Sequence, residues 1–272
     1  MSITFTSQAN VLEAVVEVLS NHKTDDYYAY ERGEYWYIGI GSRSSLVIDS
    51  QGQTVTVNSE SGQASRSING TSIADTAREI TTDHLKSGFR IFGQPCLFHV
   101  SKLGEELLHD PKEIVEHVVS AREAITELQR LCPRDTVKIE DFMSIRTRGS
   151  VQHLGSRITG ILSLEKDIWD AFDVVFPSIT ASGIPKHAAL EAIQRLEDQP
   201  RELYSGAVTM IEDLESFEAA LVLRTVFQDR NRAWIQAGAG VISQSNPQRE
   251  LTETCEKLAS IAPFVIPDVG PT

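Results

Sequence analysis

Apolar residues recur at helical spacing over residues 9–20, where Val11, Leu12, Val15, Val16 and Leu19 mark one face. The pattern then shortens. The runs DYYAYERG, EYWYIGIG, SSLVIDS and QTVTVN are alternating or aromatic, and Gly33, Gly41 and SQGQ punctuate them, which predicts an antiparallel meander. A second helix is expected over about residues 72–85, whereas GFRIFGQPCLFHV fits neither period cleanly. The plainest helix is HDPKEIVEHVVSAREAITELQRLC, with Asp110 as N-cap, Pro111 at the first position and Glu113 completing a capping box.

Two strand-like runs follow, DTVKIEDFMSIRT and GSVQHLGSRITGIL, and then a helix near residues 166–175. TASGIPK introduces another helix over 186–197, with Ser182 as its cap, Gly183 in the turn and Pro185 at a first helical position. Such a helix mouth also suits an anion, to which Lys186 would add a full charge. ESFEAALVLRTVFQ and RAWIQAGAGVI read as two long strands, and NPQRELTETCEKLASI as a last helix opened by Asn-Pro. Helices and antiparallel strands in separate runs predict an α+β fold.

Composition narrows the function. A net charge of −13 argues against a nucleic-acid or anionic-membrane partner, either of which would need a basic face, yet a local Arg/Lys pocket for a small anion remains compatible with it. No apolar run approaches the roughly 20 residues of a membrane span. MSITFTSQANVLEAVVEVL lacks a basic stretch ahead of its apolar residues, and the expected location is the cytoplasm. Cys96, Cys132 and Cys255 are scattered without metal spacing and read as reduced core thiols.

Two helices carry glutamates three residues apart, Glu113 with Glu116 and Glu250 with Glu253, so each pair shares a helix face. Facing pairs would offer an oxygen-only site for Mg²⁺, and the other reading is a solvated acidic face near each helix N-terminus. Arg224 sits among apolar neighbours in LVLRTVF, where it serves either a structural ion pair or a bidentate grip on a ligand carboxylate. AGAG at 237–240 reads as strand, and glycines there suit a close approach to its backbone. His153, in VQHLGS, is on its own a satisfied core histidine as readily as a catalyst.

In order, KEIVEH, DFMSIRTRGSVQHLGS, FPSITASGIPKHAALEAIQRLE, PRELYSGAV, LVLRTVFQ, WIQAGAGVI and QRELTETCEKL resemble the chorismate-utilising enzymes. That family includes anthranilate, isochorismate and salicylate synthases, and RGSVQHLGS and ETCEKL are most similar to the salicylate synthase branch. The resemblance implies an anthranilate synthase component I-like fold, an antiparallel β core with flanking helices. It implies an N-terminal strand and helix region over 1–86 and a chorismate-binding catalytic region over 87–272. It further implies Mg²⁺ on Glu116 and Glu253, with Glu113 and Glu250 beside them. Tyr204 and Arg224 would hold a substrate carboxylate, with Gly238 and Gly240 lining that pocket. Lys257 would lie near metal and substrate and His153 near the ring, with Thr180 and Ser182 lining the same site. The implied ligand is a small molecule, chorismate or isochorismate.

The chain also departs from the family. A long block between the N-terminal strands and the motif that here begins SGFR has no counterpart. In the family that block carries a lysine that activates water and a glutamate that acts as general acid. Glu202 stands where a glycine usually precedes YSG, and Gln236 where an arginine commonly precedes AGAG. Isomerising chorismate to isochorismate needs an acid and a base. Pericyclic loss of pyruvate from isochorismate needs neither, only a pocket that holds the folded conformer. The expectation is therefore a Mg²⁺-dependent enzyme of this family, complete through an unusual arrangement or retaining only a lyase- or mutase-type step; the alternatives are a remodelled binding protein and a truncated gene product. Strands deprived of neighbours would favour a homodimer or a full-length partner.

Overall fold

The computed structural model describes residues 108–148, 151–211, 217–228 and 232–262. Towards the N-terminus it describes shorter stretches, 27–32, 35–40, 44–48, 53–59, 62–68, 90–93 and 96–99, with residues 17, 20, 75, 78 and 265 singly. Most of the helices expected over 9–20 and 72–85 lies outside these residues. The chain divides into two compact units, Met1–Thr76 and Ala77–Thr272. That division falls ten residues or so before the boundary expected at 86.

The first unit holds the expected meander. Strands β1 (Tyr27–Arg32) and β2 (Tyr35–Ile40) form an antiparallel hairpin, and β3 (Ser44–Ile48), β4 (Thr54–Ser59) and β5 (Gly62–Ser67) an antiparallel three-stranded sheet in sequence order.

The second unit is built around β9 (Val151–Ile161). Strand β8 (Lys138–Arg148) pairs antiparallel with it. The ambiguous segment GFRIFGQPCLFHV resolves into β6 (Arg90–Gly93) and β7 (Cys96–His99), which pair with different halves of β9. The segment's sequence places Pro95, which has no N–H to give to a ladder, between the two strands, and this explains why no single period ran through it.

Helix α1 (Pro111–Leu128) lies against this sheet. Asp110 caps it, accepting from the Lys112 and Glu113 amides, and Pro111 opens it as expected. Its C-terminal half buries Ala121, Ala124 and Leu128 with Leu154 and Ile158 of β9 in the core. Each fully buried leucine or isoleucine contributes about 1.5–3 kcal/mol. Its N-terminal half buries Glu113, His117 and Ser120 instead, while Val115, Val118 and Val119 are exposed. Packing alone would choose the opposite face.

Helices α2 (Ile168–Val175), α3 (Ile179–Ser182) and α4 (Lys186–Leu196) follow. Asp167 and Asp170 close a reciprocal capping box on α2, and Trp169 and Phe172 pack edge-on against Phe217. Strand pairs β10 (Ala207–Ile211)–β11 (Phe217–Leu221) and β12 (Val226–Gln228)–β13 (Ala233–Ile235) lead to α5 (Pro247–Ala259), capped by Asn246 and opened by Pro247.

Several expectations need correction. Ser182 ends α3 and donates its hydroxyl to the Ser178 carbonyl (3.0 Å); the N-cap of α4 is Pro185, without a side-chain cap bond. Gly183 turns the chain at φ 111°, a value that only glycine adopts cheaply. Lys186 is not at an anion site: its ammonium meets Glu127 Oε1 at 2.5 Å and donates to the Val174 carbonyl at 2.9 Å. Arg224 and AGAG are not within strands. Arg224 occupies the break between β11 and β12, and AGAG follows β13 as irregular chain. Among the cysteines, Cys132 is buried as expected and Cys255 is exposed.

Candidate active site

Helices α1 and α5 begin side by side. Arg249, in the first turn of α5, reaches the Asp110 cap of α1, Nη2 to Oδ2 at 3.0 Å. The two glutamate pairs are thereby brought together near the positive ends of both helices, where carboxylates are favoured. They are not a solvated face: Glu113, Glu250 and Glu253 are buried, and the Glu116 side chain is only 10% exposed.

Two lysines answer four carboxylates. Lys112 Nζ lies 2.6 Å from Glu250 Oε1, 3.3 Å from Glu116 Oε1 and 3.7 Å from Glu253 Oε2. Lys257 Nζ lies 2.7 Å from Glu253 Oε1 and donates to the Gly238 carbonyl at 3.0 Å. The charge is still not balanced. Burial, with Glu113 and Glu253 close by, pushes the Glu116 carboxyl up to about 7 against the pull of Lys112. Burial and Glu253 likewise raise Glu113. Burial works against the Lys112 charge, but Glu250, Glu116 and Glu253 outweigh it and hold the ammonium above the ordinary lysine value.

Glu113, Glu116, Glu253 and Lys257 form one wall of a cleft of about 830 Å³, a volume that includes solvent at its mouth. The rest of the lining is Thr180 of α3 together with Tyr204, Arg224 and residues 236–240 on irregular chain. Arg224 is half-buried with φ 49°, and burial lowers its pKa while Glu253 raises it. Tyr204 is held against the glycine loop so closely that a Cβ at Gly238 would lie 3.2 Å from its hydroxyl. A Cβ at Gly240 would stand 3.9 Å from Glu116 Oε2, so the loop bridges the two walls.

Of the residues expected at the site, Thr180, Tyr204, Arg224, Gly238, Gly240, Glu113, Glu116, Glu253 and Lys257 line the cleft. Glu250 lies behind, buried against Lys112, and Ser182 is turned away. His153 stands on β9 opposite Arg146 and Phe98; its side chain lies outside the described residues. Sequence reasoning missed Lys112 and Arg201. Lys112 lies four residues before Glu116 in KEIVEH, a spacing that could have revealed it. Arg201 lines the cleft and is fixed by Glu197 (Nε–Oε2 2.8 Å) and the Ala181 carbonyl (2.8 Å).

The donor set suits a hard divalent cation in kind, being all carboxylate oxygen. Glu116 Oε1 and both Glu250 oxygens are buried without a well-directed hydrogen bond, although Lys112 pairs with them by charge. Their spacing is not yet that of a metal cage. Among the described residues no three carboxylates, imidazoles or thiols converge on one point that could hold an ion.

All of these cleft residues fall within residues 97–263, which match the family of chorismate binding enzymes. The salicylate synthase of Mycolicibacterium paratuberculosis is 46% identical over 180 residues, 66% of this chain and 40% of that protein. Anthranilate synthase component 1 of Synechocystis sp. is 38% identical over 161 residues, 57% of this chain and 32% of that protein. The chain thus spans less than half the length of these curated relatives. Among solved structures, anthranilate synthase component I from Streptococcus pneumoniae superposes with TM-score 0.56 at 21% identity, covering 94% of this chain and 66% of that one. The menaquinone-specific isochorismate synthase of Escherichia coli gives TM-score 0.56 at 20% identity, covering 88% and 47%. These superpositions carry the fold, and it is the truncated chorismate-utilising fold that the motifs implied. Because the match takes in well over half of its residues and the whole described cleft, the chain belongs to the chorismate binding enzyme family.

Proposed function

We propose that the cleft binds chorismate or isochorismate, with Mg²⁺ held by Glu116 and Glu253 beside Glu113 and Glu250, and that it promotes loss of pyruvate from isochorismate. The observation that supports this most is the pairing of unlike walls: three shielded carboxylates, Glu113, Glu116 and Glu253, share one small space with an arginine and a tyrosine, and Glu250 lies behind them. Arg224 matches a ligand carboxylate in planar geometry, and Tyr204 supplies a hydroxyl beside it. Bound magnesium would supply positive charge for a second carboxylate.

The rest falls to the chain's own groups. Lys257, anchored to Gly238 and Glu253, places its amine at the cleft. Thr180 narrows the opposite side, and His153 would stand near the ring. In the reaction proposed, the ether C–O bond of isochorismate breaks while the C2 hydrogen moves to the enolpyruvyl methylene. Pyruvate leaves, the ring becomes aromatic as salicylate, and no external acid, base or oxidant is consumed. Holding the folded conformer is then the main demand.

The test is to supply chorismate and isochorismate separately, with magnesium, and to quantify salicylate and pyruvate. Salicylate and pyruvate in equal amounts from isochorismate, with chorismate left largely unchanged, is the expected result. Salicylate from chorismate alone would show that another residue supplies the acid–base step. Binding of both compounds without turnover would favour a non-catalytic binding protein.

A further inference from the structure

The place of Lys112 is unusual. It lies in the first turn of α1, where the helix dipole disfavours a cation, and its side chain is only 10% exposed. Among the described residues its ammonium meets carboxylates alone: Glu250, Glu116 and Glu253, from both helices. Lys257 is differently held. It lies in the last turn of α5, where a cation is favoured, and is tied to a backbone carbonyl as well as to Glu253. Lys112 therefore contributes little that packing or capping requires. It contributes charge at a point 2.6 to 3.7 Å from an oxygen of each of three acids.

We infer that Lys112 is a resident counter-cation, which fills the space between the two acidic pairs and must withdraw before a divalent metal can be held there. The inference rests on the reading of Glu116 and Glu253 as metal ligands. With the ammonium in place, Glu116 and Glu253 both pair with it, in keeping with the lack of a converged metal cage among the described residues. A lysine suits the task because its compact charge sits on a flexible stem that can swing away. The chain is then stable without metal, and the apparent metal affinity is reduced by the fraction of molecules in which Lys112 is in place.

Calorimetric titration of the full chain with MgCl₂, repeated with Mn²⁺ followed by electron paramagnetic resonance, tests this. Lys112→Met should bind metal about tenfold tighter or more than wild type, on the logic that an excluded state taxes affinity. Lys257→Met, which removes the same charge from a tethered position, should gain much less. Equal gains in the two variants, or none in Lys112→Met while wild type binds, would overturn the inference and leave the metal site standing. No binding by any of the three chains would overturn both. Should Lys112→Met not fold, pulsed amine labelling of wild type read by mass spectrometry decides. Labelling of Lys112 should rise with magnesium while that of Lys166 stays level, and flat Lys112 labelling during saturable magnesium binding contradicts the inference.

Discussion

The two walls of the cleft are made in opposite ways. The acidic wall is two regular helices, each opened by a capped proline, whose periodicity turns pairs of glutamates inward. The facing wall is, apart from Thr180 of α3, chain that has left regular structure, and unusual backbone gathers in and beside it: Arg224, and Glu202 and Ser205 flanking Tyr204, have positive φ, at 49°, 52° and 65°. The first wall carries its cost as crowded, buried charge, and the second as backbone strain. The proposed ligand would account for both costs; packing does not account for the first, since α1 buries Glu113 and His117 while it exposes three valines.

This contrast is most directly broken at Arg224. If the strained wall exists to aim its guanidinium, Arg224→Ala should weaken isochorismate binding by about 100-fold or more, as expected for removing one partner of a desolvated charge pair. Arg224→Lys should recover little of it, because the bidentate geometry is lost. Calorimetry on both variants checks this, and an unchanged affinity would return Arg224 to a structural role.

The acidic wall makes a prediction in pH. Glu116 rises from the ordinary 4.5 to about 7 in the folded chain. Between those values the folded state holds more protons than the unfolded one, so this group's contribution to stability is lost as pH rises through the window. The loss amounts to about 3 kcal/mol at most. Metal-free Glu116→Gln should therefore gain on wild type steadily from pH 4.5 to 7 in denaturant titrations. A stability difference that does not vary with pH would mean that the wall is not crowded with charge.

The difference between the walls also explains what the sequence revealed. The glutamate pairs, Asp110, Pro111 and Pro247 were legible because helix periodicity and capping are local rules, and the hairpin of β8 and β9 was legible for the same reason. Arg224 and AGAG were read as strand because their neighbours are apolar and β-branched. The left-handed turn at Arg224 and the close approach of Tyr204 to Gly238 are imposed by contacts distant in sequence. Ser182 was read as a cap because its residue type suits one, but a one-turn helix ends there instead. Lys112 escaped notice for a different reason. Its significance lies in Glu250, from a helix far along the chain.

Glu202 offers the smallest effect. The family motif usually has glycine where Glu202 adopts φ 52°, and a non-glycine residue in the left-handed region costs roughly 1–2 kcal/mol. Its ion pair with Arg232, 2.8 Å and largely exposed, returns little. Glu202→Gly should stabilise the chain by about 0.5–1 kcal/mol, after the greater freedom of glycine in the unfolded state is allowed for. A loss of stability in thermal melts would show that the ion pair outweighs the strain.

The central claim is that the two walls act on one ligand, the acidic wall through a metal and the strained wall through Arg224 and Tyr204. Titration of isochorismate into the chain with and without magnesium tests it most directly. The two must then be coupled: magnesium tightens isochorismate binding by about tenfold, and isochorismate tightens magnesium binding by the same factor. In Glu253→Gln that coupling is lost while metal-free stability is little changed. Isochorismate binding that is equally tight with and without magnesium would contradict the account.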